Sequence, residues 1–123
     1  MIIYHIVRKE TLEKALDGEK YTGDTLQNEG FIHCSTAAQV VDVANQRFKG
    51  QSGLVLLCID TDLVRPEIRY ENLEGGEKLF PHIYGALNRD AIHKIVDLTP
   101  GQDGFFSFPD LLLSFTSGFL FLS

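Results

Sequence analysis

Three of the four histidines in the chain lie in short extended segments that also contain aromatic residues. These segments are Tyr4-His5, Phe31-Ile32-His33 and Phe80-Pro81-His82-Ile83-Tyr84. Polar side chains on a buried strand face either find hydrogen-bonding partners in the core or line a pocket. A single histidine of this kind is usually a satisfied core residue, whereas three in separate strands favour a shared cavity. We therefore expect His5, His33 and His82 to surround one ligand site.

Metal binding and thiol chemistry are alternative uses of these residues. Three imidazoles can hold zinc with one open position, but the sequence lacks the close ligand spacings of a zinc motif, so we expect no metal. Cys34 precedes a predicted helix, which favours a thiolate, yet its neighbour His33 points to the other face of the strand and is poorly placed as a base. We expect Cys34 and Cys58 to be small core residues.

Ser35 and Thr36 lie just before the predicted start of a helix. Unpaired main-chain amides at such a position favour an anion such as a phosphate or carboxylate, and the Ser35 hydroxyl can add a hydrogen bond. The alternative is that both residues only cap the helix. The two interpretations are compatible.

Two carboxylates, Glu74 and Glu77, flank a Gly75-Gly76 turn. A carboxylate near an aromatic strand can stabilise positive charge that develops at a sugar carbon. A solvated turn residue is the alternative, and it is favoured for Glu74 more than for Glu77. Glycine-rich phosphate loops with their characteristic spacing are absent from the sequence.

Hydrophobic patterning predicts the elements that position these residues. Residues 2–7 are expected to form a central strand, because both of its faces are largely apolar. Short strands are predicted at 31–34 and 67–70, a fully buried strand at 54–59 and a last strand at 91–98. Pro81 places the strand at 78–84 at a sheet edge or in a bulge.

Two helices are predicted. The first covers residues 11–17 and stops at Gly18, and the second follows a capping box formed by Thr36 and Gln39 and ends at Gly50. The polar stretch 19–30 is long for a connection in a compact domain and is typical of a lid or binding loop.

Composition limits the class of protein. The chain has 123 residues, 44% of them hydrophobic, and a net charge of −6, which is ordinary for one globular domain. An acidic chain repels polyphosphate, so we expect no duplex nucleic acid as a partner. Two cysteines and the absence of a recognisable signal peptide predict a cytoplasmic protein.

The end of the chain differs from the rest. Residues 111–123 carry no charge and are rich in Phe and Leu, but they are too few to span a bilayer, which needs about 20 residues. We expect no transmembrane segment. A terminal strand or a homodimer contact is favoured over a surface anchor.

Three stretches together resemble domain-of-unknown-function family 952, a family of small bacterial and plant proteins. They are Ile3-Tyr4-His5-Ile6-Val7, the segment from Glu29 to Thr36 with Val43-Ala44-Asn45 after it, and the segment from Gly75 to Gly85. The resemblance covers about residues 1–108, which we take as a single domain. The apolar tail, residues 109–123, lies outside the family pattern.

That family is similar in fold to the ADP-ribosyltransferases, which implies an α+β domain with a split, mainly antiparallel β-sheet core and two helices. In that superfamily the core clamps NAD in a cleft. The resemblance implies that His5 binds the ribose on the nicotinamide side and that His33, with Ser35 nearby, lies beside the nicotinamide. The third motif of the superfamily is commonly a Glu, and here Glu77, His82 and Tyr84 are the candidates.

The resemblance thus implies an ADP-ribosyltransferase-like domain that handles NAD or a related ADP-ribose or nucleotide ligand. The catalytic candidates are His5, His33, Glu77 and His82, and the cofactor-binding candidates are Tyr4, His5, Ser35, Thr36 and Tyr84. Aromatic rings would stack on the nicotinamide, and main-chain amides after His33 would hold the pyrophosphate. The alternatives are a non-catalytic nucleotide or small-molecule binding module and an interaction protein that pairs through its tail.

Overall fold

The computed structural model describes residues 1–23, 26–73 and 75–108. In chain order these form β1 (Ile2–Arg8), α1 (Lys9–Ala15), β2 (Leu16–Asp17), β3 (Lys20–Tyr21), α2 (Leu26–Glu29), β4 (Ile32–His33), α3 (Val40–Arg47), β5 (Leu54–Asp60), β6 (Glu67–Glu71), β7 (Phe80–Tyr84), β8 (Leu87–Asn88) and β9 (Ile92–Leu98). Single 3-10 turns follow β5 and β8. The strands of this part of the chain form three antiparallel sheets, ordered β1-β5-β9, β2-β3-β8 and β4-β7-β6.

The main sheet is built around β5, whose six apolar residues are all buried. The sequence predicted this strand, because an unbroken apolar run is typical of a strand covered on both faces. β1 was expected to be central, but it is the terminal strand of this sheet. Its outer edge is nevertheless covered at Tyr4, which exchanges two main-chain hydrogen bonds with Ser35, of 2.8 and 2.7 Å. This bridge joins the main sheet to the segment that follows β4.

The two faces of β1 enter different core clusters, as a period of two requires. Ile3 and Val7 belong to the first cluster, together with Tyr21, Ile32 and Ile83. Tyr4 belongs to the second, with Val40, Leu56, Cys58 and Val96. His5 therefore lies on the face that looks toward the other sheets and is 4% exposed.

β7 is the middle strand of its sheet, so the expected edge or bulge at Pro81 was wrong. Proline is tolerated because Pro81 is the second residue of β7 and lies beyond the last pair with β4, His33 with His82. Its carbonyl oxygen still accepts a hydrogen bond of 3.0 Å from the Cys34 amide. The strand ladder therefore lacks only the hydrogen bond that a main-chain N–H at this position would donate.

Both helices begin or end away from their predicted positions. α1 ends at Ala15 because the chain turns into the β2–β3 hairpin, where Gly18 has a φ of +58°. α3 begins at Val40 because residues 37–39 form a turn, in which the Gln39 side chain accepts a hydrogen bond from the Thr36 amide at 3.0 Å. The stretch 19–30 contains β3 and the single helical turn α2.

The expected α+β class is confirmed: the sheets are antiparallel, and α1 and α3 are the two helices longer than one turn in the described ranges. The described part of the chain contains no helix that is both long and apolar enough to cross a membrane. The expectations for the tail fall on residues 109–123, outside the described residues.

Candidate functional site

Alternation along the β4-β7-β6 sheet gives it one apolar and one polar-aromatic face. Ile32 and Ile83 are fully buried on the first. His33 and His82 form a directly opposed cross-strand pair on the second, with ring centroids 5.3 Å apart. The Phe31 ring packs edge-on against both imidazoles, at 4.9 Å from each. Register alone thus brings two of the predicted histidines into contact.

His5 reaches this pair from β1, and both of its ring nitrogens are bonded to protein. Nδ1 lies 2.6 Å from the His33 carbonyl oxygen and Nε2 lies 2.8 Å from the hydroxyl of fully buried Tyr21. A carbonyl oxygen only accepts, so Nδ1 carries a proton and donates it. In the neutral ring Nε2 then accepts from the Tyr21 O–H. His5 therefore positions the His33 main chain, and the ribose contact expected for His5 has no ring nitrogen to make it in this geometry.

His33 pairs with a carboxylate that was not assigned a role from the sequence. Its Nε2 lies 2.5 Å from Oε2 of Glu29, and both side chains are partly exposed. Glu29 ends α2, and Gly30, with a φ of +83°, turns the chain back so that its amide bonds the Leu26 carbonyl oxygen at 2.8 Å. Glycine adopts this left-handed conformation without a steric penalty. The turn places Glu29 beside the imidazole four residues later.

His82 is more buried than His33, and only 4% of it is exposed. Its Nδ1 is buried without a hydrogen-bond partner among the described residues, and the nearest carboxylate oxygen, Oε1 of Glu71, is 3.6 Å away. Desolvation lowers the pKa of His82, and the neighbouring His33 lowers it further, while Glu71 and Glu29 oppose the shift. The neutral imidazole is thus favoured.

Tyr84 lies two residues after His82 on β7 and therefore on the same face of the sheet. Its hydroxyl donates to Oε1 of Glu71, and the Arg69 guanidinium lies 4.3 Å from the centre of its ring. The hydrogen bond to Glu71 raises the pKa of the Tyr84 phenol. Its ring also contacts Phe31 at 5.2 Å.

A cavity of about 280 Å³ lies between this sheet and α3. The residues that line it and matter for chemistry are His5, His33, His82, Glu29, Ser35 and Arg47. The three histidines predicted to converge therefore do so, from β1, β4 and β7.

Several predicted site residues are placed elsewhere. Glu77 lies on the exposed turn after Gly76, and Glu77, Thr36 and Tyr84 are not among the residues that line the cavity. Tyr4 borders the cavity, yet its ring belongs to the second core cluster and meets Phe108 edge-on at 6.1 Å. The stacking role expected for Tyr84 therefore has no support from the lining of the cavity.

The three main-chain amides directly after His33 are bonded within the protein and do not point to an anion. The Cys34 amide donates to the Pro81 carbonyl oxygen, the Ser35 amide to that of Tyr4, and the Thr36 amide to Oε1 of Gln39. The first residue of α3 is Val40, four positions after Thr36. Ser35 and Thr36 therefore connect elements rather than cradle a phosphate.

The thiols behave as expected for core residues. Cys34 is 4% exposed, and burial raises the pKa of its thiol. Burial also raises the pKa of Cys58, to about 11. Neither is a nucleophile at neutral pH. Among the described residues no group of three or more His, Cys, Asp or Glu side chains is placed to hold a metal ion.

The unpredicted site residues are Glu29, Tyr21 and Arg47. Glu29 had a usable signal, since it precedes His33 by four residues in a motif already singled out. Tyr21 lay in a stretch predicted to be a loop, and Arg47 lies at the end of α3, where a basic residue is ordinary. The contact of Tyr21 with His5 and the position of Arg47 at the cavity depend on topology that a single sequence does not show.

A family model described as "Protein of unknown function (DUF952)" matches residues 6–95. None of the curated proteins matches the chain. The crystal structure of protein CC0527 from Caulobacter crescentus is similar, with 28% identity over 92% of this chain and 99% of that chain and a TM-score of 0.79. A double methionine variant of the same protein gives a TM-score of 0.78, and its solution NMR structure gives 0.75 over 89% of this chain. The chain thus belongs to the DUF952 family, as the three motifs indicated.

Proposed function

We propose that the cavity bordered by His5, His33 and His82 binds the ADP-ribose part of NAD or of a related nucleotide, and that the protein is an ADP-ribosyltransferase-like enzyme. The observation that carries the proposal is the convergence of these histidines from three strands on one cavity. The antiparallel α+β architecture agrees with the fold implied by the resemblance. Because one fold serves many activities, the residues of the site carry the assignment.

The size of the cavity limits what enters it. About 280 Å³ is slightly below the range of about 300–1,000 Å³ that is usual for whole ligands. One end of a dinucleotide, a nicotinamide with its ribose, suits this volume better than the whole molecule. The remaining phosphates and adenosine would extend over the open rim.

The charged side chains suggest how such a ligand would be oriented. Glu29 accepts hydrogen bonds and suits ribose hydroxyls, while the Arg47 guanidinium suits the phosphates. Phe80, which also lines the cavity, offers an apolar ring to the nicotinamide. The main-chain amides after His33 take no part, so Arg47 replaces them in the proposal.

Cleavage of the bond between nicotinamide and ribose develops positive charge at the sugar carbon. Glu29 is the carboxylate that lines the cavity among the described residues, and it takes the stabilising role expected for Glu77. A carboxylate in a partly enclosed site stabilises such charge more than it would in water. His33, bonded to Glu29, fixes the direction of that carboxylate.

A non-catalytic nucleotide-binding module is the second candidate, and it is favoured by one observation: both ring nitrogens of His5 are engaged by the protein. Incubation with NAD, followed by chromatography for nicotinamide, separates the two. Release of nicotinamide supports the enzyme. Saturable binding of ADP-ribose by calorimetry without release supports the module, and neither binding nor release contradicts both.

A further inference from the structure

Glu71 lies beside His82 because of strand register. β6 and β7 pair Arg69 with His82, so Glu71 is two residues along from the partner of His82 and shares its face. Oε1 of Glu71 lies 3.6 Å from Nδ1 of His82 and also accepts the hydrogen bond of Tyr84. A carboxylate is thus held against one particular nitrogen of the imidazole.

This arrangement determines which nitrogen of a neutral His82 carries the proton. An unprotonated Nδ1 would direct its lone pair at a carboxylate oxygen and repel it, whereas a protonated Nδ1 is attracted to it. Nδ1 is shielded from solvent, while the His82 side chain lines the cavity. The nitrogen left to exchange protons with the cavity is Nε2, and in this tautomer it carries a free lone pair.

We propose that His82 is the proton acceptor of the site, with Glu71 as the residue that holds its Nε2 unprotonated. The inference depends on the proposed function, since it assigns the group that activates the attacking hydroxyl or water. The proton of that O–H moves to Nε2 of His82. The oxygen forms the bond to the C1′ carbon of the ribose, and the C1′–N bond breaks with its electron pair retained by the nicotinamide nitrogen.

Neither of the other two histidines fits this role as well. Both nitrogens of His5 are bonded to protein groups, and Nε2 of His33 is bonded to Glu29. The imidazolium formed on His82 is balanced by Glu71, which already shares a hydrogen with Tyr84. The groups that face His82 from the neighbouring elements are Arg69 and Glu71 on β6, His33 on β4 and Glu29 on α2.

The tautomer of His82 in the ligand-free protein tests the assignment independently of any activity. Long-range nitrogen–proton NMR spectra at neutral pH should show Nδ1 of His82 protonated and Nε2 unprotonated. In Glu71→Gln the amide can donate to Nδ1, so the spectrum should shift toward the opposite tautomer. Glu67→Gln, on the same face of β6 but paired with Arg69, is the control and should leave the tautomer unchanged.

Turnover provides the second readout. His82→Gln should lower the rate of NAD cleavage by about 10²-fold or more, the usual contribution of general base catalysis, while ADP-ribose still binds. A His82 that carries its proton on Nε2 in the wild-type protein would overturn the assignment, whether or not NAD is cleaved. If the wild-type protein has the expected tautomer but neither binds ADP-ribose nor cleaves NAD, the proposed function is overturned. The proton transfer to His82 is then overturned with it.

Discussion

The Nδ1 atom of His5 lies 2.6 Å from the main-chain carbonyl oxygen of His33, a residue 28 positions later in the chain. This hydrogen bond ties the terminal strand of the main sheet to β4, next to the main-chain bridge between Tyr4 and Ser35. The cavity opens where these two sheets meet. The position of the His33 main chain is therefore set by a histidine whose two ring nitrogens are both bonded to the protein.

The Tyr21→Phe substitution tests the positioning role of His5. It removes the hydroxyl bonded to Nε2 of a buried imidazole and leaves that nitrogen without its partner, which should lower the free energy of unfolding by about 1–3 kcal/mol. Urea denaturation measures the change. Tyr70→Phe removes a hydroxyl from a tyrosine that is 44% exposed on β6 and should change stability little; equal losses in both variants would show that the His5 bond contributes nothing specific.

A comparison of Glu29→Gln with Glu77→Gln tests which carboxylate serves the cavity. The Glu29 pair with His33 is partly exposed, so its loss should change stability by less than about 1 kcal/mol. Binding of ADP-ribose should weaken about tenfold or more, because a charged hydrogen-bond acceptor is lost. Glu77→Gln should bind like the wild type in the same calorimetric titration. A binding defect confined to Glu77→Gln would contradict the role of Glu29 and would indicate that the carboxylate of the site is Glu77, on the Gly75-Gly76 turn.

The lowered pKa of His82 predicts how stability depends on pH. The ordinary pKa is 6.5, so below about this pH the unfolded chain takes up a proton that the folded chain resists. The free energy of unfolding should fall as the pH drops from about 8 to about 5. His82→Gln should show a shallower fall than the wild type. Parallel curves for the two proteins would mean that His82 does not titrate differently in the folded chain.

The buried thiols should be unreactive in the native protein. Cys34 and Cys58 are at most 4% exposed and burial raises the pKa of both, so iodoacetamide at neutral pH should modify neither until denaturant is added. Mass spectrometry of the intact chain counts the adducts. Rapid modification of Cys34 in the native protein would contradict this expectation. It would show a reactive thiolate in the cavity and would support Cys34 as a nucleophile.

The local patterns in the sequence were sufficient to predict most strands. The apolar run that became β5 was interpreted correctly, because burial on both faces leaves a direct compositional trace. The two-faced pattern of β1 predicted a strand but not its place, since β1 is the terminal strand of the main sheet. The position of β7 was not predicted, since proline disfavours only the strand positions whose N–H is needed, and register decides which those are. The bounds of α1 and α3 differed because the turns beside them compete for the same residues.

For the site, the sequence indicated the shared cavity but not the roles of its residues. Three histidines beside aromatic residues predicted the convergence that the structure shows. The tautomers and partners of those histidines depend on pairs such as His33 with Glu29 and His82 with Glu71, and the second of these exists only through the register of β6 and β7. Glu77 was selected because of a glycine turn, yet Glu77 is exposed and does not line the cavity.

A titration of the protein with ADP-ribose, followed by NMR of the histidine side chains, tests the proposed site most directly. The ring signals of His33 and His82 should move together and saturate, while those of His93, on a different sheet, should stay in place. Signals of His33 and His82 that remain unchanged at saturating ADP-ribose, or that move no more than those of His93, would contradict the proposed site.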